Sequence, residues 1–544
     1  NITLQSRLTN AEGKKMLVGL VTMANADVQE DLMQSLKKLC GGEMDLWQSL
    51  RGREGIQLLI SLLGLSSEQQ QEYAVALLSI LTEEVDSSKW IITSTGGIPP
   101  LVQILETGSV KAKEDAAHIL ANLCTHSEDI RACVQTADAV PALLWLLKIA
   151  SVKGQEIAAK ALTQLVRKSD DSTISQLAAL LQGEHPYSKV HVLNVLGCLL
   201  CVASQDEILR EGSAANDALH VVFRLLNSSN EEVKEHAASV LAKIFSARND
   251  LRESPFVIDA FELLINLLKV EPEHISMQAA KAIGAIFLSI MKNEEIAHRA
   301  QDSIIPLITL AKSSNVAAVE ISATAFANLL VDVNMSRGAP AEDLIVPFTR
   351  VLLEGTYEGR ESAACALSLL LRLRSIDDTL SESIQSSGAV FALVELLAAT
   401  NLEQCTKSEV LEALATLSRA RYTGTSRPPW TVLAEAPGRL EPLVTCVALG
   451  SPLMQEKAIE VLSRLCRDQP VILGDLIAST STCISSLAEH IINSTRTDVK
   501  VGGATLLICA FKEHRQQAME ALNESGTFIL LIQSLINMLG MKAM

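Results

Sequence analysis

Apolar residues in this chain come in short blocks with helical spacing, and the blocks themselves recur. From Gly97 the order Ile98-Pro99-Pro100 places proline in a first helical turn, where its missing N–H costs nothing. Leu101, Val102, Ile104 and Leu105 continue that helix to a break at Gly108. Ala116, Ile119, Leu120 and Leu123 then stand at i, i+3, i+4 and i+7, the buried stripe of a second helix predicted from about Lys113. Ser127, followed by Glu128 and Asp129, reads as the N-cap of a short helix reaching about Thr136. The predicted unit is one short, one long and one longer helix.

The unit repeats. Gly55, Gly97 and Ala139 open similar segments 42 residues apart, and Ala74, Ala116 and Ala158 keep that spacing, as do Leu81, Leu123 and Leu165. Ala237 and Ala279 are again 42 apart, and so are Ile244 and Ile286. A period of about 40–47 residues is that of armadillo and HEAT arrays, whose units bury their apolar faces only by stacking. The recurring alanine predicts close packing of the third helix on the second. Further units begin near Ser303, Ala341, Gly388 and Leu440, with longer intervals after Leu370, while 174–200 keeps periodic leucines but lacks the Gly-Ile-Pro start. The expected fold is all-α, a right-handed superhelical solenoid of about eleven armadillo repeats. Residues 1–54 are expected as N-terminal helical or capping units and 55–200 as regular repeats with a degenerate last one. Residues 201–419 are read as further repeats, 420–430 as an exposed loop carrying Gly424, Pro428 and Pro429, and 431–544 as C-terminal repeats.

Composition narrows the function. With 544 residues, 48% hydrophobic and only 15 Pro, the chain exceeds a single core and suits an array. A formal charge of −17 argues against nucleic acid as a partner, because phosphate binding needs clustered Lys and Arg. Aromatic residues, at 3%, supply few stacking platforms. No apolar run approaches the roughly 18 residues of a bilayer-spanning helix, and residues 1–10 lack the apolar core of a signal peptide, so a cytoplasmic location is expected. The 11 cysteines, mostly inside apolar stretches, read as buried reduced thiols.

The usual chemical constellations are not assembled. Cys198-Leu199-Leu200-Cys201 lies in an apolar stretch without a partner pair and reads as core. His185 and His191 read as surface-loop residues, Gly96-Gly97 as a turn, and Glu83-Glu84 and Glu231-Glu232 as solvated helix starts. No catalytic residue, metal site or cofactor is expected. Stacked repeats do create one extended surface, lined by the third helices. Its polar positions in the unit of Gly97 are Asp115, His118 and Asn122, with equivalents at Lys160, Gln164, Lys243, Lys281, Thr324 and Asn328. These residues are the candidate partner-binding groove. Importin-alpha-like arrays pair Trp with Asn four residues apart at such positions to clamp an extended peptide. Here the Trp is absent and the Asn occurs only at Asn122 and Asn328, which disfavours a nuclear-signal receptor.

Residues 90–148, beginning WIITSTGGIPPLVQILETGSVKAKEDAAHILANLC, resemble the plant cellulose synthase-interactive proteins, as do Lys14 to Cys40, Leu209 to Leu219 and Glu456 to Gly474. The resemblance implies a large cytosolic protein of many armadillo repeats with a terminal C2-type domain, of which this chain is an internal portion. Such a protein bridges cellulose synthase complexes at the plasma membrane to cortical microtubules and supports cellulose biosynthesis. The implied partners are cellulose synthase catalytic subunits and cortical microtubules, and the implied location is the cell cortex. Tubulin presents an acidic surface that repels a chain at −17, so contact with the catalytic subunit or with other copies of the chain is expected here, and microtubule contact outside it. On the residues alone, two alternatives remain: the substrate-binding array of a ubiquitin-ligase-type or other cytosolic adaptor, and a self-assembling structural array.

Overall fold

The computed structural model describes residues 52–64, 68–84, 86–165, 171–182, 186–202, 213–252, 256–269, 272–288, 294–332, 339–372, 378–399, 404–419, 440–466 and 470–540. The expected 420–430 loop, and all but the end of the 1–54 segment, lie outside these residues. The described residues form 29 α-helices and no strand. They belong to two compact units, Asn1–Arg248 and Asn249–Met544.

In the first unit the predicted triplet is found twice in full. Asp86–Ser94, Ile98–Thr107 and Val110–His126 make one repeat, and Glu128–Thr136, Val140–Ile149 and Val152–Leu165 the next. The second helices begin with proline in the first turn, at Pro99 and Pro141. The chain enters Ile98–Thr107 through Gly96, whose φ of 76° lies in the left-handed region that favours glycine. Ser109 caps the third helix by accepting from the Ala112 N–H, and Ser127 caps the following first helix by accepting from Ile130 N–H, as its sequence predicts. The third helix starts at Val110, one turn before the Lys113 expected from the apolar stripe, because the Ser109 cap lies outside that stripe. Its last turn is closed by Arg131, a buried side chain whose Nε and Nη2 donate to the Cys124 carbonyl at 3.2 and 2.9 Å.

The recurring alanines Ala116, Ala158 and Ala237 are fully buried at 0% exposure, which leaves no room for a larger side chain. Third helices pack on one another in series, Glu68–Glu84 on Val110–His126, then on Val152–Leu165, Pro186–Val202 and Glu231–Ala247. The helices approach closely at Gly197, where a Cβ would stand 2.8 Å from Val240 Cγ1. The second helices Asp171–Leu181 and Ser213–Leu225 complete the last two repeats of this unit.

The second unit repeats the plan from Phe256–Leu268 and Glu273–Ile286 onward. Its third helices Glu273–Ile286, Val316–Leu329, Tyr357–Leu371, Gln404–Arg419, Pro452–Leu465 and Thr497–Glu513 again form a side-by-side layer. The start expected at Ser303 is not a helix start. Glu294–Ala311 runs as one helix with Pro306 inside it, so the proline marks where a second-helix segment begins without a break. Counting second- and third-helix pairs, the described residues hold eleven repeats.

No single helix among the described residues is long and apolar enough to cross a membrane. Two pairs reach the length only jointly, Glu128–Thr136 with Val140–Lys148 and Pro470–Ala478 with Ser481–Asn493, and they are bent by 80° and 104°. Both pairs are first and second helices of a repeat, with apolar residues such as Ile130, Leu143, Ile477 and Ile484 buried at 0% exposure.

Candidate partner-binding face

Within each unit the third helices bury one side against the second helices and their flanks against each other, leaving one open face. On Val110–His126 that face carries the half-buried Asp115, His118 and Asn122. Burial raises the Asp115 carboxyl above its ordinary range, with Lys111 and His118 opposing. Lys160 is exposed and Gln164 half-buried on Val152–Leu165, and Lys243 is exposed on Glu231–Ala247. In the second unit Lys281 and Thr324 are exposed and Asn328 is half-buried. The six candidates of the first unit therefore share one face, and the three of the second unit share another.

These residues are not equally available. His118 Nδ1 is 3.0 Å from Ser79 Oγ on the preceding third helix, and its Nε2 is 3.5 Å from Glu83 Oε1. Asn328 donates its amide to the Gly284 carbonyl at 3.0 Å, tying it to the helix before. Thr324 Oγ1 donates to the Glu320 carbonyl at 3.0 Å and lies 3.0 Å from Ser362 Oγ, a hydroxyl partner on the helix after. Three candidates are thus stitches between repeats. Lys160, Lys243 and Lys281 make no ion pair or side-chain hydrogen bond with a described residue.

A second set of stitches escaped the sequence reading. Ser109 Oγ donates to Glu72, and Ser151 Oγ donates to Glu114 Oε1 at 2.6 Å. In the second unit Ser313 donates to Glu273, and Thr356 Oγ1 donates to Glu320 Oε2 at 3.0 Å. Each joins a glutamate early in one third helix to the turn that precedes the next third helix. Ser109, Ser151 and Thr356 accept from Ala112, Gly154 and Gly359 N–H, so one hydroxyl caps its own helix and binds the neighbouring repeat. The sequence signal is a Ser or Thr followed three residues on by Ala or Gly, with a Glu 36 or 37 residues upstream.

The C-terminal third helices of the second unit carry a charged lattice on the same face. Arg419 Nε donates to Glu460 at 2.7 Å and Arg464 pairs with Glu460 at 3.1 Å, while Lys457 pairs with Glu412 at 3.0 Å. Burial raises the neighbouring Glu409 carboxyl, with Lys457 opposing the shift and Glu412 and Glu361 adding to it.

Three readings of candidate chemistry need correction. Cys198 is exposed and Cys201 half-buried, so the pair is not core, because Cys198 stands at the Asn122 position of the open face. Burial nonetheless pushes the Cys201 thiol up to about 11. His191 is not in a loop but on Pro186–Val202, where burial lowers its pKa and Glu156 opposes that shift; His185 lies outside the described residues. Glu83 and Glu84 end a helix rather than start one. Among the described residues no three His, Cys, Asp or Glu side chains converge as metal ligands would.

Three-helix repeats, stacked third helices and an open polar face define an armadillo-type helical scaffold. A solved structure of an engineered protein shares this fold, with a TM-score of 0.55 and 23% identity over 75% of this chain and 98% of its own. No family model matches the chain. It is 45% identical over 542 residues to Protein CELLULOSE SYNTHASE INTERACTIVE 3 of Arabidopsis thaliana, and 42% identical over 543 residues to Protein CELLULOSE SYNTHASE INTERACTIVE 2 of the same plant. Each match covers 99% of this chain, which is therefore a homologue of these proteins and spans about a quarter of their length, 25% and 26%.

Proposed function

We propose that this chain is a non-catalytic portion of a scaffold that binds cellulose synthase catalytic subunits and, through a longer protein, links their complexes at the plasma membrane to cortical microtubules. Supporting this, the likeness to two proteins named for interaction with cellulose synthase runs through 99% of the chain. The repeat architecture fits the role, since stacked third helices offer an extended surface and no converging catalytic group is needed. The contact to the synthase falls on the open third-helix faces, and the filament contact falls elsewhere, because a chain at −17 is repelled by acidic tubulin. The place of action is the cell cortex. The test is capture of cellulose synthase cytosolic domains by purified residues 1–544, beside sedimentation with taxol-stabilised microtubules at low and physiological salt. Capture of the synthase without co-sedimentation is the expected result. Capture of neither would sink the scaffold reading for this portion.

A further inference from the structure

Independently of which partner the open faces hold, we propose that one edge of the first unit seats on an anionic lipid bilayer. Trp145, Val110 and Val152 enter the interface there, and Lys111, Lys148 and Lys153 meet the lipid phosphates. The edge is made of two successive turns from second to third helix, 107–113 and 149–153, with the last turns of Val140–Ile149. Ser151 ties the second turn to Glu114 at the start of Val110–His126. Lys113, in the first, donates to the Glu106 carbonyl at 2.8 Å and lies over the Trp145 ring at 4.0 Å. Residues 107–113 and 145–153 hold four lysines and no Asp or Glu, in a chain whose 63 acidic residues outnumber 46 basic ones. Trp145, Val110 and Val152 are 47%, 50% and 57% exposed, so large apolar groups stand in water beside these cations.

Lys111, Lys148 and Lys153 are exposed and make no ion pair or side-chain hydrogen bond with a described residue. The acids at the border are Glu106 and Glu156, both exposed, the half-buried Asp115, and Glu114, which Ser151 occupies. This edge is not a property of every repeat. The third helices Glu68–Glu84 and Glu231–Ala247 begin with an acid where these two begin with valine, and Gln103 stands 42 residues before Trp145. In the second unit the same turn exposes Leu449 and Leu453, yet 449–456 holds no cation and ends in Glu456. A bilayer takes up the whole set at once. Trp settles at headgroup level, the valines leave interfacial water, and lysine stems lie along the apolar boundary with their ammonium groups at the phosphates. An acidic protein segment would engage the lysines and give no role to the exposed Trp145, Val110 and Val152. At 0.1 M salt a screening length of about 10 Å shields the surface from acids elsewhere in the chain and leaves the contacts at the edge.

The test is flotation of residues 1–544 with vesicles of phosphatidylcholine and phosphatidylserine in a three-to-one ratio, beside phosphatidylcholine alone, at about 0.1 M salt. The chain should float with the mixed vesicles and not with phosphatidylcholine alone. One lysine near an anionic surface is worth about fivefold in partitioning, so Lys111→Glu/Lys148→Glu/Lys153→Glu should weaken binding about tenfold or more. Lys269→Glu/Lys512→Glu/Arg515→Glu makes the same charge change at exposed cations of the second unit and should weaken it less than about threefold. Val110→Ser/Val152→Ser leaves the charge unaltered and should weaken binding about threefold or more. Unchanged circular dichroism melts establish that the variants fold. In a chain whose Trp47, Trp90 and Trp430 are replaced by phenylalanine, Trp145 emission should shift to the blue on mixed vesicles. No flotation, equal weakening by the two triple variants, or Trp145 emission unmoved by mixed vesicles overturns the proposal. Capture of cellulose synthase cytosolic domains reads the scaffold function separately, so either result stands without the other.

Discussion

The Ser151–Glu114 stitch can be weighed against its surroundings. Ser151 Oγ donates to Glu114 Oε1 at 2.6 Å, its N–H approaches the same oxygen at 3.3 Å, and its hydroxyl accepts from Gly154 N–H at 3.1 Å. Glu114→Ala removes the contact between repeats, about 1 kcal/mol, the low end for a charged hydrogen bond because Ser151 is solvent-exposed. Ser151→Ala removes that contact and the helix cap, another ~1 kcal/mol, for roughly 2 kcal/mol in all. The double variant loses nothing beyond Ser151→Ala, so the cycle should return a coupling of about 1 kcal/mol. Gly154 sharpens the test, because its Cβ would stand 2.7 Å from Glu114 Cδ and displace the carboxylate. Gly154→Ala should be near neutral in the unaltered chain, where a helix gain of roughly 0.5–1 kcal/mol offsets the lost stitch. In a Glu114→Ala background the same substitution should stabilise. The assay is native-state hydrogen exchange of Val152–Leu165, since repeat arrays open locally. Additive single variants, with coupling within about 0.3 kcal/mol of zero, would refute the stitch.

Other outcomes follow from the same structure. Ala116→Leu, at a site with 0% exposure, should cost roughly 1–3 kcal/mol by overpacking and speed exchange in Val110–His126; an unchanged exchange pattern would contradict the packing. Glu409, held above its ordinary value by burial, binds its proton more tightly when folded, so its contribution to stability grows as pH falls from neutral through the raised pKa and levels off below the unfolded value. Glu409→Gln should therefore stabilise the second unit at neutral pH and lose that advantage near pH 4, measured by urea melts at both. Iodoacetamide should alkylate the exposed Cys133 and Cys198 well before Cys124 or Cys483, whose burial pushes both thiols up to about 12; equal rates in peptide mapping would count against the described burial.

The sequence by itself determined the repeat. A 42-residue period, prolines in first turns, the Ser127 cap and the recurring alanines are local signals, each set by backbone stereochemistry or by helical spacing within a few residues. The candidate face was legible for the same reason, because once a third helix and its buried stripe are known the opposite positions follow from the helical period. Which of those positions are available was decided only by tertiary structure. His118, Thr324 and Asn328 look in sequence like Lys160 or Lys243, but their partners Ser79, Ser362 and Gly284 lie on neighbouring helices 38 to 44 residues away. The Glu114–Ser151 stitch spans 37 residues, and the exposure of Cys198 depends on how neighbouring helices flank it. Periodicity says which side of a helix is apolar. The distance between stacked repeats, fixed by small residues such as Gly197 against Val240, decides which polar groups on the other side meet.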